Sequence, residues 1–190
     1  KNDSSFYYYH KSKNISILLK DSLEVARRLL SMSNMQSNER DFLGCEISLI
    51  EGLKYIEPLN EIRYTASFYN NLGLILSETG RQKEARAYYE KFFELNKQKL
   101  DKHSKNRSNL NYYLNVALTY NRDKEYKKSI AFFKKGLAFD NIEYKFPKIY
   151  QLLQEGLADT YYDSGSKEKA LKGFYIALKS KEKHYGYSRW

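Results

Sequence analysis

Few side chains in this 190-residue sequence have the types and spacing that catalysis or metal binding requires. The histidines, His10, His103 and His184, lie far apart, and none has another His, Cys or Asp at ligand spacing, so no metal site is predicted. Asp159 and Asp163 are four residues apart, on one face of a helix, where two carboxylates can form an acid–base pair. Carboxylates on a solvated helix face are ordinary, so we interpret this pair as surface charge.

Cys45 is the single cysteine, which excludes an intramolecular disulfide and a cysteine-based metal site. It lies among Phe42, Leu43 and Ile47, and this apolar setting predicts a buried structural thiol. The sequence has no Gly-rich phosphate loop and no GxSxG, HExxH or CxxC motif. We therefore predict that the chain is not an enzyme, with no catalytic residues, no metal ligands and no cofactor.

The chain is basic, with 33 Lys and Arg against 23 Asp and Glu, for a net charge of +10. Such a balance can serve nucleic-acid or acidic-membrane binding. The densest basic run, Lys97, Lys99, Lys102, Lys105 and Arg107, is interpreted as a solvated turn between helices. Nucleic acid is therefore not the expected partner, although a basic nucleic-acid-binding surface stays an alternative. No window approaches 18 continuous apolar residues, so no membrane span is predicted.

One spaced pattern of aromatic, apolar and small residues occurs three times. The copies are Tyr69, Leu72, Gly73, Leu76, Gly80, Ala85, Tyr89 and Phe92; Tyr113, Val116, Ala117, Tyr120, Ser129, Phe133 and Gly136; and Leu157, Ala158, Tyr161, Gly165, Ala170, Phe174 and Ala177. A small residue lets two helices cross closely, and the aromatic one turn farther on fills the wider gap. Gly80 and Gly165 would end the first helix of their copies. Lys124 occupies that place in the middle copy, so its turn should be different or slightly strained.

The three copies resemble the tetratricopeptide repeat family. The resemblance implies an all-α fold, a right-handed superhelix of antiparallel helix pairs, which is a TPR-like α-solenoid. The small residues 73, 117 and 158 recur after 44 and 41 residues, whereas the family's usual period is about 34. The extra residues fall near 97–109 and 141–149, where Pro147 would begin a helix. Elongated repeats of this kind resemble the sensory or regulatory domains of bacterial regulators.

The expected organisation is a repeat region at 65–190 preceded by degenerate N-terminal helices at 1–64 that pack on the solenoid. The repeats would span about 65–107, 108–149 and 150–185, with the start of a further helix at 187–190. In the N-terminal part, 15–30 and 42–56 carry helical apolar stripes, and the polar segment 31–39 separates them. The chain begins at Lys1, and we expect the parent protein to continue past Trp190. The apolar end of the last pair would then be covered by a missing repeat, a partner or a second copy, which makes a homo-oligomer through the C-terminal end possible.

In this family the first helix of each repeat lines a concave groove, so the resemblance implies a set of ligand-binding residues. They are Asn70, Leu74, Asn111, Asn115, Leu118, Arg122, Asp159 and Tyr162. Asparagine can bond the N–H and C=O of an extended peptide at once. The carboxylate clamp of chaperone-binding members is not expected, because its cationic positions hold no Lys or Arg. The sequence thus predicts a protein- or peptide-binding module, the sensory or scaffold part of a larger bacterial regulatory protein, with a pure structural scaffold as a further alternative.

Overall fold

The computed structural model describes residues 2–98 and 101–185. All regular secondary structure in these ranges is helical, which confirms the predicted all-α class. The predicted further helix at 187–190, including Trp190, lies outside the described residues.

The helices divide between two compact units, residues 1–96 and 97–190. The first unit contains α1 (Asn2–Leu18), α2 (Ser22–Asn38), α3 (Phe42–Ile56), α4 (Ile62–Glu78) and α5 (Gln82–Lys97), with a 3-10 turn at Glu57–Leu59. The second contains α6 (Lys102–Arg122), α7 (Tyr126–Leu137), the short α8 (Ile142–Lys145), α9 (Pro147–Asp163) and α10 (Lys167–Tyr185). The division that we predicted at residue 64 falls inside the first unit, and our assignment of repeats stays a prediction.

Five inter-helix turns share one hydrogen-bond pattern, the Schellman motif. Each places one residue in the left-handed region, namely Lys20, Arg40, Gly80, Lys124 and Gly165. The Lys124 N–H donates to Asn121 O at 2.8 Å and the next N–H donates to Tyr120 O at 2.9 Å, matching the bonds around Gly80. The expectation of a different turn at Lys124 is therefore wrong, and the strain lies only in its φ of 60°.

The N-terminal helices begin and end at other places than the apolar pattern predicted. The stripe at 15–30 is divided by a Schellman turn at Lys20, and the segment 31–38 that we interpreted as a break is helical. Asp21 and Asp41 set the new boundaries, because each carboxylate caps the following helix by accepting from the N–H three residues later, at 3.0 and 2.9 Å. Ser33 within this segment is fully buried, and its hydroxyl donates to Leu30 O.

Three residues of the basic run, Lys102, Lys105 and Arg107, lie in α6, contrary to our interpretation of the run as a turn, and Lys99 lies outside the described residues. Asp101 caps α6 by accepting from the His103 and Ser104 N–H groups at 3.3 and 2.6 Å, so the helix begins at Lys102. In the second long connection, Pro147 begins α9 as predicted.

Glycine contacts hold neighbouring helices together in the first unit. A Cβ on Gly73 of α4 would lie 2.5 Å from a ring carbon of Tyr89 on α5, and one on Gly52 of α3 would lie 2.3 Å from Phe68 on α4. Tyr89, Phe68 and the predicted crossing residue Ala85 are all buried. The aromatic ring of one helix thus occupies the volume that a side chain on the next would need.

The second unit uses the same contact and differs at its last pair. Phe133 of α7 is fully buried, and a Cβ on Gly156 of α9 would lie 2.5 Å from its ring. Phe174 on α10, which we predicted to fill the corresponding space, is 38% exposed. Gly173 instead brings α10 close to Ala158, where a Cβ would be 2.9 Å from the Ala158 Cβ, and Phe174 turns outward.

We predict that Lys124→Gly stabilises the protein by about 0.5–1 kcal/mol, because glycine adopts the left-handed conformation without the Cβ clash. The matched change, Gly80→Ala, should destabilise the protein, because it introduces a Cβ at a left-handed position. That Cβ would meet no atom within 4 Å, so the effect measures backbone strain alone. Chemical denaturation measures both. Equal or lower stability of Lys124→Gly would show that the turn carries no strain.

Candidate functional site

In the first unit, the facing sides of α2 and α4 form a cleft of about 200 Å³. It is lined by Ser33, Asn34, Ser37, Asn38, Cys45, Asn71, Leu74 and Ile75. The Asn71 amide donates to Asn34 Oδ1 at 3.1 Å and so links the two helices across the cleft. The lining combines neutral amide and hydroxyl groups with the apolar surface of Leu74 and Ile75, and it contains no Asp, Glu, Lys or Arg.

Neutral amides and hydroxyls along a cleft suit an extended polypeptide, whose backbone offers one donor and one acceptor per residue. Leu74 is 40% exposed and offers an apolar contact to a side chain. Burial, and secondarily Asp41 and Glu46, raise the pKa of Cys45 in this lining to about 11, so the thiol stays protonated near neutral pH. Its burial confirms the predicted structural thiol.

The structure places the two predicted residues of this unit, Asn70 and Leu74, one turn apart on α4. Leu74 lies in the cleft, whereas Asn70 is half-buried and donates to Asn71 Oδ1 at 3.4 Å. Sequence reasoning missed Asn34 and Asn38, because it placed them in a polar break. The Asp21 cap followed by an apolar stripe was the signal that could have identified α2.

In the second unit, four predicted residues share one face of α6 at spacings of four, three and four: Asn111, Asn115, Leu118 and Arg122. The asparagines are half-buried, Arg122 is exposed, and Leu118 packs against the hydrophobic core of the unit. Leu118 therefore contributes to stability as well as to this face. Asparagine at 115 has interactions of its own within the fold.

The predicted residues on α9 are Asp159 and Tyr162, and both are exposed. The helix lies beside α6, since the Asn121 amide of α6 donates to Asp163 Oδ2 at 2.9 Å. Partial desolvation, and then the neighbouring Asp163 and Glu155 carboxylates, raise the pKa of Asp159. This stretch of α9 thus concentrates negative charge next to the amide-bearing α6.

The net positive charge of the chain is confined to one unit. Residues 97–190 contain 20 Lys and Arg against 10 Asp and Glu, whereas residues 1–96 contain 13 of each. Helix α7 alone carries Lys127, Lys128, Lys134 and Lys135 with no acidic residue. In the second unit, negative charge is therefore concentrated on α9 and positive charge on α7.

Neither a cluster of metal-ligating side chains nor a membrane-spanning helix is found in the part of the chain that the structure describes. Within residues 2–98 and 101–185, no three or more His, Cys, Asp or Glu side chains come together as a possible metal site. Nor does any described helix combine the length and apolar character needed to cross a bilayer.

Antiparallel helix pairs joined by Schellman turns, with a polar face on α2, α4, α6 and α9, define a helical-repeat protein of the interaction type. The sequence model of the tetratricopeptide repeat family matches residues 64–141. The predicted resemblance to this family and the predicted TPR-like α-solenoid class are confirmed, whereas the likeness to bacterial regulators stays a prediction. The chain has no significant sequence match among curated proteins.

Three solved structures share the fold at low sequence identity. TPR-like repeats of a kinesin light chain from Podosopora anserina align with a TM-score of 0.75 and 13% identity, over 96% of this chain and 87% of that one. BtubC (BKLC) from P. vanneervenii gives a TM-score of 0.59 at 13% identity, over 100% and 94%. The MamA RS-1 ArsTM double mutant gives 0.58 at 13%, over 96% and 97%. At these identities the likeness concerns the fold alone.

We predict that Asp159→Asn raises the melting temperature at pH 7. The folded-state pKa of Asp159 lies above the unfolded one, so its ionisation lowers stability as the pH rises through that interval. The asparagine variant does not ionise and so keeps this stability at pH 7. Its higher melting temperature relative to the wild type should disappear near pH 3, where the Asp159 carboxyl is protonated in both the folded and the unfolded state. Thermal unfolding at both pH values measures the difference. An advantage that does not change with pH would contradict the assigned cause.

Proposed function

We propose that this chain is a protein- or peptide-binding module that receives extended polypeptide segments on the first helices of its repeats. The carrying observation is the cleft between α2 and α4, which combines neutral amides and hydroxyls with the apolar Leu74 and Ile75 and is bridged by the Asn71–Asn34 hydrogen bond. The tetratricopeptide fold supports a protein-interaction module in general. The proposed ligand-binding residues are the eight groove residues predicted from the family resemblance, together with Asn34, Asn38 and Asn71.

The two units offer different chemistry to a ligand. In the first, neutral amides and Leu74 suit the backbone and small apolar side chains of the partner. In the second, Asp159 and its acidic neighbours on α9 favour a basic segment beside Asn111 and Asn115. We infer a sensory or scaffold role in a larger bacterial regulatory protein, with binding rather than catalysis as its activity.

Nucleic-acid binding through the basic unit is the second candidate. It is favoured by the twofold excess of Lys and Arg over Asp and Glu in residues 97–190. Binding of this kind depends steeply on salt, because each neutralised phosphate releases counterions. A peptide held by neutral amides would respond much less to salt.

The test selects ligands from a displayed library of random peptides and measures their affinity by calorimetry. Asn34→Ala with Asn71→Ala should weaken peptides of the first unit, and Asn111→Ala with Asn115→Ala those of the second. Each buried hydrogen bond lost should cost about 1–3 kcal/mol of binding free energy. The matched control is Asn14→Ala, which removes an exposed amide on α1 outside the cleft and should bind normally.

Unchanged affinity in both double variants, with helix content preserved, would remove these faces as the site. A library that yields no ligand, together with salt-sensitive binding of duplex DNA that is lost on Lys127→Gln and Lys134→Gln, would support the nucleic-acid alternative instead.

A further inference from the structure

Helix α10 carries a continuous row of exposed apolar side chains. Leu171 is 73% exposed, Phe174 38%, Tyr175 60% and Leu178 53%. Their spacing of three, four and seven residues places them on one side of the helix. The other side is occupied, because Ala170 and Ala177 are buried and Gly173 packs on Ala158 of α9. The row therefore belongs to a helix already fixed in the fold, with its apolar surface turned to solvent.

The corresponding side of α7 is covered, and it shows what fits there. Positions 130, 133 and 137 precede 171, 174 and 178 by 41 residues each. On α7 these are Ile130, Phe133 and Leu137, which pack in the hydrophobic core of the unit. The covering element is a helix, α9: its Gly156 sits on the Phe133 ring, and its Leu153 contacts Gly136. The exposed row on α10 thus repeats a surface that this fold buries under a helix.

Charge distinguishes the two surfaces and indicates what the covering helix of α10 should carry. The positions next to Leu171 and Leu178 are Lys172 and Lys179, and the corresponding residues are Ala131 in α7 and Ala138 directly after it. Lys167 and Lys181 lie at the two ends of the row, and α10 as a whole has six lysines against two glutamates. A helix seated on this row would place its flanking residues among these lysines, and acidic residues there would be attracted.

We propose that the exposed row of α10 binds an acidic amphipathic α-helix of a partner protein, which places a small residue on the Phe174 ring as Gly156 of α9 is placed on Phe133. The partner helix has a large apolar side chain followed three residues later by glycine or alanine, as Leu153 and Gly156 are arranged. Its flanks carry aspartate or glutamate. This surface is separate from the cleft between α2 and α4 and takes a helix rather than an extended segment.

The chain itself supplies the probe. A synthetic peptide of residues 147–163 has the Leu153–Gly156 arrangement and is acidic, with three carboxylates against one lysine. Labelled with a fluorophore and titrated with the full chain, it should bind saturably and gain helix content on binding. Leu171→Ser with Leu178→Ser should weaken it at least tenfold. Lys172→Gln with Lys179→Gln should weaken it severalfold at low salt and much less at high salt, because salt screens surface charge.

Two controls separate this docking from general stickiness. Leu43→Ser on α3 removes an equally exposed leucine, 72% exposed, and should leave peptide binding unchanged. A peptide with Gly156→Leu should bind at least tenfold more weakly, because its side chain would strike the Phe174 ring. All changed positions on the chain are exposed, and circular dichroism verifies that the variants fold.

Several results would overturn the proposal. The first is no binding of the 147–163 peptide, and the second is binding that the Leu171→Ser, Leu178→Ser variant retains. The third is equal affinity for a peptide whose carboxylates are replaced by amides. Binding to phosphatidylserine-containing vesicles that needs the same leucines, without peptide binding, would assign the surface to a membrane. Self-association of the chain that the same variant abolishes, again without peptide binding, would assign it to a second copy.

Discussion

The contact between a glycine on one helix and a large side chain on the next sets the geometry on which the rest of this structure depends. It occurs between Gly73 and Tyr89, Gly52 and Phe68, and Gly156 and Phe133. A Cβ at any of these glycines would lie within 2.6 Å of a ring carbon, which is too close for non-bonded atoms. The helices can therefore pack this closely only because the position is glycine. Because ridges then interlock, each contact fixes both the distance and the rotation of its helix pair.

That rotation decides which side chains remain for binding. When Gly73 of α4 faces the Tyr89 ring, the residues next to it on the helix, Asn71 and Leu74, face α2 and line the cleft. The Schellman turns have the complementary effect: the residue that follows each left-handed position opens the next helix, as Asp21 and Asp41 do by capping α2 and α3. The polar face is thus a consequence of apolar packing on the opposite side.

The sequence predicted the features that rest on residue size and failed where a turn relied on other residue types. The spacing of Gly73, Ala85 and Tyr89 predicts that two helices cross closely there, and all three residues are buried in the structure. Lys20 and Arg40 adopt left-handed turns that glycine signals elsewhere, so neither helix end could be read from residue type. The sequence analysis therefore placed the ends of α2 wrongly, and it did not identify Asn34 and Asn38 as residues of the cleft. Asn70 and Leu74 were predicted from the groove positions of the family; Leu74 lies in the cleft, and the role of both in binding stays a prediction.

The last pair shows the limit of reasoning from a repeated pattern. Phe174 matches Phe133 in spacing, yet only Phe133 has a helix with a glycine above it. Burial therefore depends on the neighbouring helix as much as on the residue, and the sequence of α10 alone does not contain that information. The lysines that flank its apolar row are in turn a property of α10 that the repeat pattern does not require.

The most direct test of this account is a double-mutant cycle at Gly156 and Phe133, measured by chemical denaturation. Gly156→Ala alone should destabilise the protein by about 1–3 kcal/mol, because the new methyl group strikes the ring. Phe133→Leu alone should also destabilise it, by leaving space unfilled. In the double variant the smaller side chain makes room for the methyl group. The loss of stability of the double variant should therefore be smaller than the sum of the two single losses by about 1 kcal/mol or more. Losses that add to within about 0.5 kcal/mol would contradict the claim that this contact sets the helix spacing.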